Sequence, residues 1–139
     1  MRESEKSPIV LIASQQQHLL EKLRDALADT DFALLYAQTT DEALALLERL
    51  KSEIDLAIVE LELPELGGWD LIGQLTKYSQ KPVKIIATTS VYSERLFGRV
   101  LELGVDAVVP IAISSEAWHK SIEAVLLKNE NRSATAVAH

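Results

Sequence analysis

The chain has 139 residues, enough for one domain that buries roughly two-thirds of its unfolded surface without covalent staples. Hydrophobic residues make up 47% and charged residues 25%, as in ordinary globular proteins, and the lack of cysteine excludes disulfide scaffolds, thiol catalysis and cysteine-bound zinc. A formal net charge of −7 with no basic run speaks against binding a phosphate backbone, and no apolar stretch is long enough to span a bilayer.

Residues 1–7 are charged and polar and read as a flexible start. Ile9–Ala13 is a short apolar run after a proline, hence a buried strand. Leu19, Leu20, Leu23, Ala26 and Leu27 then recur at three- and four-residue spacing, the stripe of an amphipathic helix. Phe32–Ala37 is apolar throughout and reads as a second strand. Thr39 stands three residues before Glu42, a capping-box pattern that opens a helix carrying Ala43, Leu44, Leu47 and Leu50.

The third strand is Leu56–Val59, whose unbroken apolar character marks burial on both faces. It ends at Glu60-Leu61-Glu62; Pro64 and Gly67-Gly68 force a loop, and Trp69 opens a helix with Leu71, Ile72, Leu75 and Tyr78 inward. After Pro82, Val83–Ala87 reads as a strand and Thr88-Thr89-Ser90 as a polar loop. Leu96, Phe97, Val100 and Leu101 form the core face of a helix that Gly104 ends. Ala107–Val109 is a fifth strand stopped by Pro110, and Ser114 caps a last helix with Trp118, Ile122, Val125 and Leu126 inside. Residues 129–139 lack periodicity and read as a flexible tail or linker, leaving 8–128 as the globular part.

Alternating strands and helices with right-handed crossovers give a parallel sheet covered on both faces, an α/β fold; alternation alone leaves the strand order open. In open sheets of this kind ligands sit beyond the carboxyl ends of the strands, which places Glu60 where a carboxylate does work.

The order of elements, Pro64 and Gly68 four and eight residues after Glu60, the Gly104-Val105-Asp106 turn and the Val109-Pro110 pair resemble the receiver domains of two-component response regulators. The likeness covers roughly residues 8 to 128. It implies a flavodoxin-like (βα)5 three-layer sandwich with strand order 2-1-3-4-5 and a phosphorylation pocket at the carboxyl ends of strands one, three, four and five. Active receivers hold magnesium with two acidic residues after strand one and with the acceptor aspartate after strand three. A hydroxyl after strand four and a lysine after strand five hold the phosphoryl group.

Carried over by position, the acidic pair falls on Ser14 and Gln15, the acceptor on Glu60, the hydroxyl on Thr89 with Ser90 beside it, and the lysine on Ile111. Thr88 takes the hydroxyl role if the register slips by one, Ala112 replaces the proline that usually follows the lysine, and Val108 occupies the aromatic switch position. Only the hydroxyl survives. Too little negative charge remains for useful magnesium affinity, isoleucine donates nothing to a phosphoryl oxygen, and the longer glutamate overshoots the in-line position.

The expectation is therefore a degenerate, non-enzymatic pseudo-receiver, without a bound cofactor or metal, that signals in a bacterial cytoplasm through protein–protein interaction. A sensor kinase, an output domain or another signalling protein would be its partner, and a homodimer is compatible with the sequence; nucleic acid and membrane are not expected partners. The resemblance puts the partner face on helix four, strand five and helix five, with Arg95, Arg99, Glu102, His119 and Lys120 as exposed candidates.

Two alternatives come from other classes. One is a working switch with an unorthodox acceptor such as Glu60, Ser90 or His18. The other is a small-molecule sensor using the vacated pocket, roofed by Ile111 and floored by Ser14 and Thr89. Glu60 itself reads either as a fixed charge standing in for a phosphorylated residue or as a solvated carboxylate at a strand end. The second is favoured, which makes Glu60→Ala tolerated or mildly stabilising. The cluster Glu60, Glu62, Glu65 and Asp70 matches no metal-loop motif and reads as a solvated acidic loop, and Gln15-Gln16-Gln17 lacks the glycines of a flavin phosphate loop. Trp118 is expected in the core and Trp69 at the pocket side, partly exposed.

Overall fold

A computed structural model of the chain describes residues 7–50, 53–64, 67–78, 83–91 and 93–128. The expectations for residues 1–6, Glu65, the Tyr78 side chain, Pro82 and residues 129–139 lie outside what it describes. Ten elements alternate: β1 (Ile9–Ala13), α1 (Gln17–Ala26), β2 (Ala33–Ala37), α2 (Thr40–Leu50), β3 (Leu56–Glu60), α3 (Gly67–Tyr78), β4 (Lys84–Thr89), α4 (Glu94–Leu101), β5 (Ala107–Pro110) and α5 (Ser115–Leu127). All strand pairs are parallel, in the order β2-β1-β3-β4-β5, the flavodoxin-like arrangement.

The strands' two-residue period sorts their side chains between two helical layers. Leu11, Ala13, Ala57, Val59, Ile85 and Ala87 pack with Ala43, Leu71, Ile72, Leu75 and Val100 on the α2–α3–α4 side. Val10, Ile12, Leu56, Ile58 and Ile86 pack with Leu19, Leu23, Trp118, Ile122 and Val125 on the α1–α5 side. Every residue of β3 is buried, as its unbroken apolar run requires. Trp118 is fully buried.

The caps follow the sequence. Glu42 N donates to Thr39 Oγ1 at 3.1 Å, and Glu42 Oε1 reaches back to Gln38 N at 2.8 Å, closing the box one residue early. Ser93 caps α4 and Ser114 caps α5, each hydroxyl accepting an amide at 3.1 Å. Gly104, at φ +96°, ends α4 in the left-handed region.

Three expectations need correction. Thr88 and Thr89 are not loop but the last residues of β4, both buried; the Thr88 hydroxyl donates to Val109 O at 2.6 Å, so a β-branched polar residue is satisfied inside the sheet. Pro110 belongs to β5 rather than stopping it. The following amide, Ile111 N, donates inward to Thr89 O at 3.1 Å, so by alternation the proline's missing N–H lies on the outer side of an edge strand. Leu101 is 41% exposed rather than inward, because the eight-residue α4 meets the core through Leu96, Phe97 and Val100 and Leu101 lies a further step around the helix.

Candidate functional site

Glu60 is the last residue of β3 and continues the Leu56–Ile58 alternation toward α1. It is only 2% exposed. Ser14 directly follows β1 and prolongs the ladder to β2, its amide donating to Ala37 O at 2.9 Å. That fixes its hydroxyl toward Glu60, and Ser14 Oγ donates to Glu60 Oε1 at 2.7 Å while accepting Gln16 N at 2.9 Å. Gln15 N donates to the same carboxylate oxygen at 3.3 Å, and Gln16 Nε2 donates to Oε2 at 3.1 Å. Gln16 is also the N-cap of α1 but makes no side-chain cap bond, because its amide is committed to Glu60. The β1–α1 loop thus wraps the carboxylate beside a helix N-terminus, where negative charge is favoured.

The solvated strand-end carboxylate expected at position 60 is therefore corrected: its oxygens are buried and shared among three donors. The other described residues of the acidic cluster disperse. Glu62 is exposed, with its Oε2 accepting from Thr89 Oγ1, and Asp70 accepts Gln74 Nε2 at 3.0 Å. No group of three or more His, Cys, Asp or Glu with metal-holding geometry occurs among the described residues.

Thr89, the positional hydroxyl, ends β4 one residue beyond the Glu60–Thr88 register pair. Its oxygen donates to Glu62 and accepts Val91 N at 3.0 Å, so it ties the β4–α4 loop to the loop after β3 rather than facing Glu60. Thr88 is spent on Val109 O. Ile111, at the lysine position, is 3% exposed and packs in the α1–α5 core; its carbonyl accepts Trp118 Nε1 and Lys22 Nζ, both at 3.4 Å. Val108 is buried in the opposite layer. His18 and Ser90 are exposed.

The five partner-face candidates do not share one surface. Arg95 and Arg99 line a groove with Trp69, Ser93 and Leu96 between α3 and α4. Glu102 and Lys120 are exposed. His119 turns the other way: its Nδ1 meets Ala26 O of α1 at 2.8 Å and its Nε2 meets Glu123 at 3.0 Å. Lys128 on the far flank of α5 reaches Asp106 O at 3.1 Å beside β5, so the α5 flank toward strand five carries Lys128 and not His119. The hydrogen bond to Ala26 chiefly raises the His119 pKa above its ordinary 6.5, with Glu123 and Asp29 adding to it and partial desolvation opposing it.

Reading residue types alone missed Gln16, Glu62 and Lys22. A polar side chain two residues past a strand-end serine, opposite the Glu60 strand end, was the signal for Gln16; Lys22 and Glu62 left none, since their partners are a distant carbonyl and a hydroxyl of another loop.

Comparison with known proteins gives consistent matches. The model of the response regulator receiver domain matches residues 10–123. The transcriptional regulatory protein CpxR of Klebsiella pneumoniae is 27% identical over 120 residues, covering 86% of this chain and 50% of that protein. The response regulator GtcR of Aneurinibacillus migulanus is 29% identical over 100 residues, covering 72% of this chain and 40% of that protein. The chain thus spans about half the length, or less, of these curated relatives. Among solved structures, a response regulator from Thermotoga maritima superposes with TM-score 0.78 at 17% identity, covering 87% of this chain and 98% of the other. A CheY-like receiver domain protein from Methanospirillum hungatei superposes with TM-score 0.77 at 22% identity, covering 91% and 99%. At these identities the structures speak for the fold alone. No helix among the described residues is long and apolar enough to cross a membrane.

Proposed function

The chain belongs to the response regulator receiver domain family, and we propose that within it this domain is a pseudo-receiver, held in one state and acting by protein–protein contact without phosphorylation. One observation carries the reading: the carboxylate at the acceptor position is buried and bound by Ser14 Oγ, Gln15 N and Gln16 Nε2. An attacking oxygen must be free to approach a phosphoryl donor in line, and both of these oxygens are already held by hydrogen bonds from the β1–α1 loop.

Magnesium does not fit this donor set. The ion needs several hard oxygen acceptors, whereas Ser14 and Gln16 present hydrogens to the one carboxylate there. Ile111 itself offers no cation, its side chain lying in the core, and the ammonium of Lys22 beside it is bound to the Ile111 carbonyl at 3.4 Å. Glu60 also makes a poor stand-in for a phosphorylated residue. A mimic must draw in the hydroxyl after strand four, and both threonine hydroxyls there are engaged elsewhere. What remains is a rigid α/β scaffold whose surfaces recognise a sensor kinase, an output domain or another signalling protein.

The test is an amide NMR titration of the full chain with magnesium and beryllofluoride, following Glu60, Thr89, Gly104 and Val108. Unchanged spectra at millimolar magnesium are expected. Shifts spreading from Glu60 to β5 mean that the pocket still switches, and the proposal fails.

A further inference from the structure

We propose that the groove between α3 and α4 docks an acidic segment of a partner protein, one with two carboxylates about a helical turn apart flanking an apolar side chain. This deepens the interaction reading above and rests on it. The groove encloses about 300 Å³ and is lined by Trp69, Ser93, Arg95, Leu96 and Arg99. Its chemistry is opposite to that of the molecule, whose net charge is −7.

Arg95 and Arg99 are both exposed and sit one turn apart on α4, with Cβ atoms roughly 5–6 Å from each other. Among the described residues neither has a hydrogen-bond or ion-pair partner, whereas Glu123, Lys22 and Lys128 are all engaged. Two unpaired guanidinium groups beside an indole make a site for carboxylates, which they grip in fork geometry.

The apolar half of the site is Trp69, 38% exposed, facing half-buried Leu96. Trp69 is held there by its neighbour. Gly68 N donates to Leu61 O at 3.3 Å, and a Cβ on Gly68 would stand 2.2 Å from Glu60 O, so α3 starts hard against the end of β3. Ser93 caps α4 by accepting Leu96 N at 3.1 Å, which leaves its hydroxyl proton to donate to an incoming carboxylate. A nucleic acid is disfavoured by the charge of the whole chain, while an acidic peptide needs only local complementarity.

The probe is a synthetic helical peptide with two glutamates one turn apart flanking a leucine, and a control in which lysines replace them. Trp69 emission reports binding, since Trp118 is fully buried and gives a constant background. Saturable binding is expected with Kd on the order of 10–100 µM, weakening about tenfold in the exposed double variant R95E/R99E and falling with added salt. The lysine peptide should not bind.

No saturable change up to about 1 mM, or equal binding by R95E/R99E, overturns the groove. Self-association of the chain abolished by R95E/R99E overturns the partner segment in favour of a second copy. Running the titration with and without magnesium beryllofluoride separates the two proposals. Failure to bind in a beryllofluoride-inert protein sinks the groove alone, and binding that requires beryllofluoride sinks the phosphorylation-independent reading.

Discussion

The two ends of the sheet use carboxylates in the same structural way but with different partners. At the amino end, Asp55 Oδ2 accepts Ile9 N and Asp106 Oδ2 accepts Ile85 N, both at 2.8 Å, while the aspartates' own amides donate back to Ile9 O and Ile85 O. Each staple joins one strand start to its neighbour through backbone amides, which any residue supplies. At the carboxyl end, Glu60 joins β3 to the loop after β1 through one backbone amide and two side chains, Ser14 and Gln16. The carboxyl end is stapled too, and its dependence on particular side chains is where it differs from the amino end.

Breaking both ends at once should have the largest effect. Val59 is fully buried in β3 between the two layers, and Val59→Asp leaves a charge without a partner. Loss of the cooperative urea transition is expected, at a cost of several kcal/mol. Gly68→Ala strikes the carboxyl end alone, because the new Cβ meets the Glu60 carbonyl oxygen and Leu61 Cα. A loss of about 1–3 kcal/mol is expected by chemical denaturation, with amide shifts confined to the ends of β1 and β3 and to α3.

Glu60→Ala and Asp106→Ala, measured side by side, weigh the two staples directly. Each orphans buried donors and should cost about 1–3 kcal/mol. A neutral or stabilising Glu60→Ala would mean that the carboxyl end is not stapled at all.

The smallest effect belongs to His119, which joins α5 to α1. Its raised pKa means that folding favours the protonated ring, so the contribution is complete below the ordinary 6.5 and fades as pH rises through the raised value. The Tm difference between the native chain and His119→Gln should therefore be larger near about pH 5.5 than near pH 8. A difference independent of pH would remove the charge from the α1–α5 contact.

Element order, both helical stripes of the α1–α5 layer, the caps at Thr39 and Ser114 and the depth of Trp118 follow from periodicity and local chemistry, and these were readable. The strand order came from the family likeness, since alternation fixes crossovers and not neighbours. Thr88 and Thr89 were misread because a polar pair resembles a loop until a carbonyl across the ladder accepts its hydroxyl. Glu60 was misjudged for a related reason. Whether a carboxylate is solvated depends on what the next loop brings to it, and Ser14 and Gln16 lie more than forty residues away. His119 looked outward because helical spacing shows which residues avoid the core, not which neighbouring helix covers them.

Pro110 has a consequence for how copies of this protein behave at high concentration. A foreign strand laid along β5 finds a ring where it needs a donor, so the sheet is a poor template for growth on that side. Main-chain pairing along the β5 edge therefore lacks a donor at its last rung, which disfavours fibre-like stacking on that side.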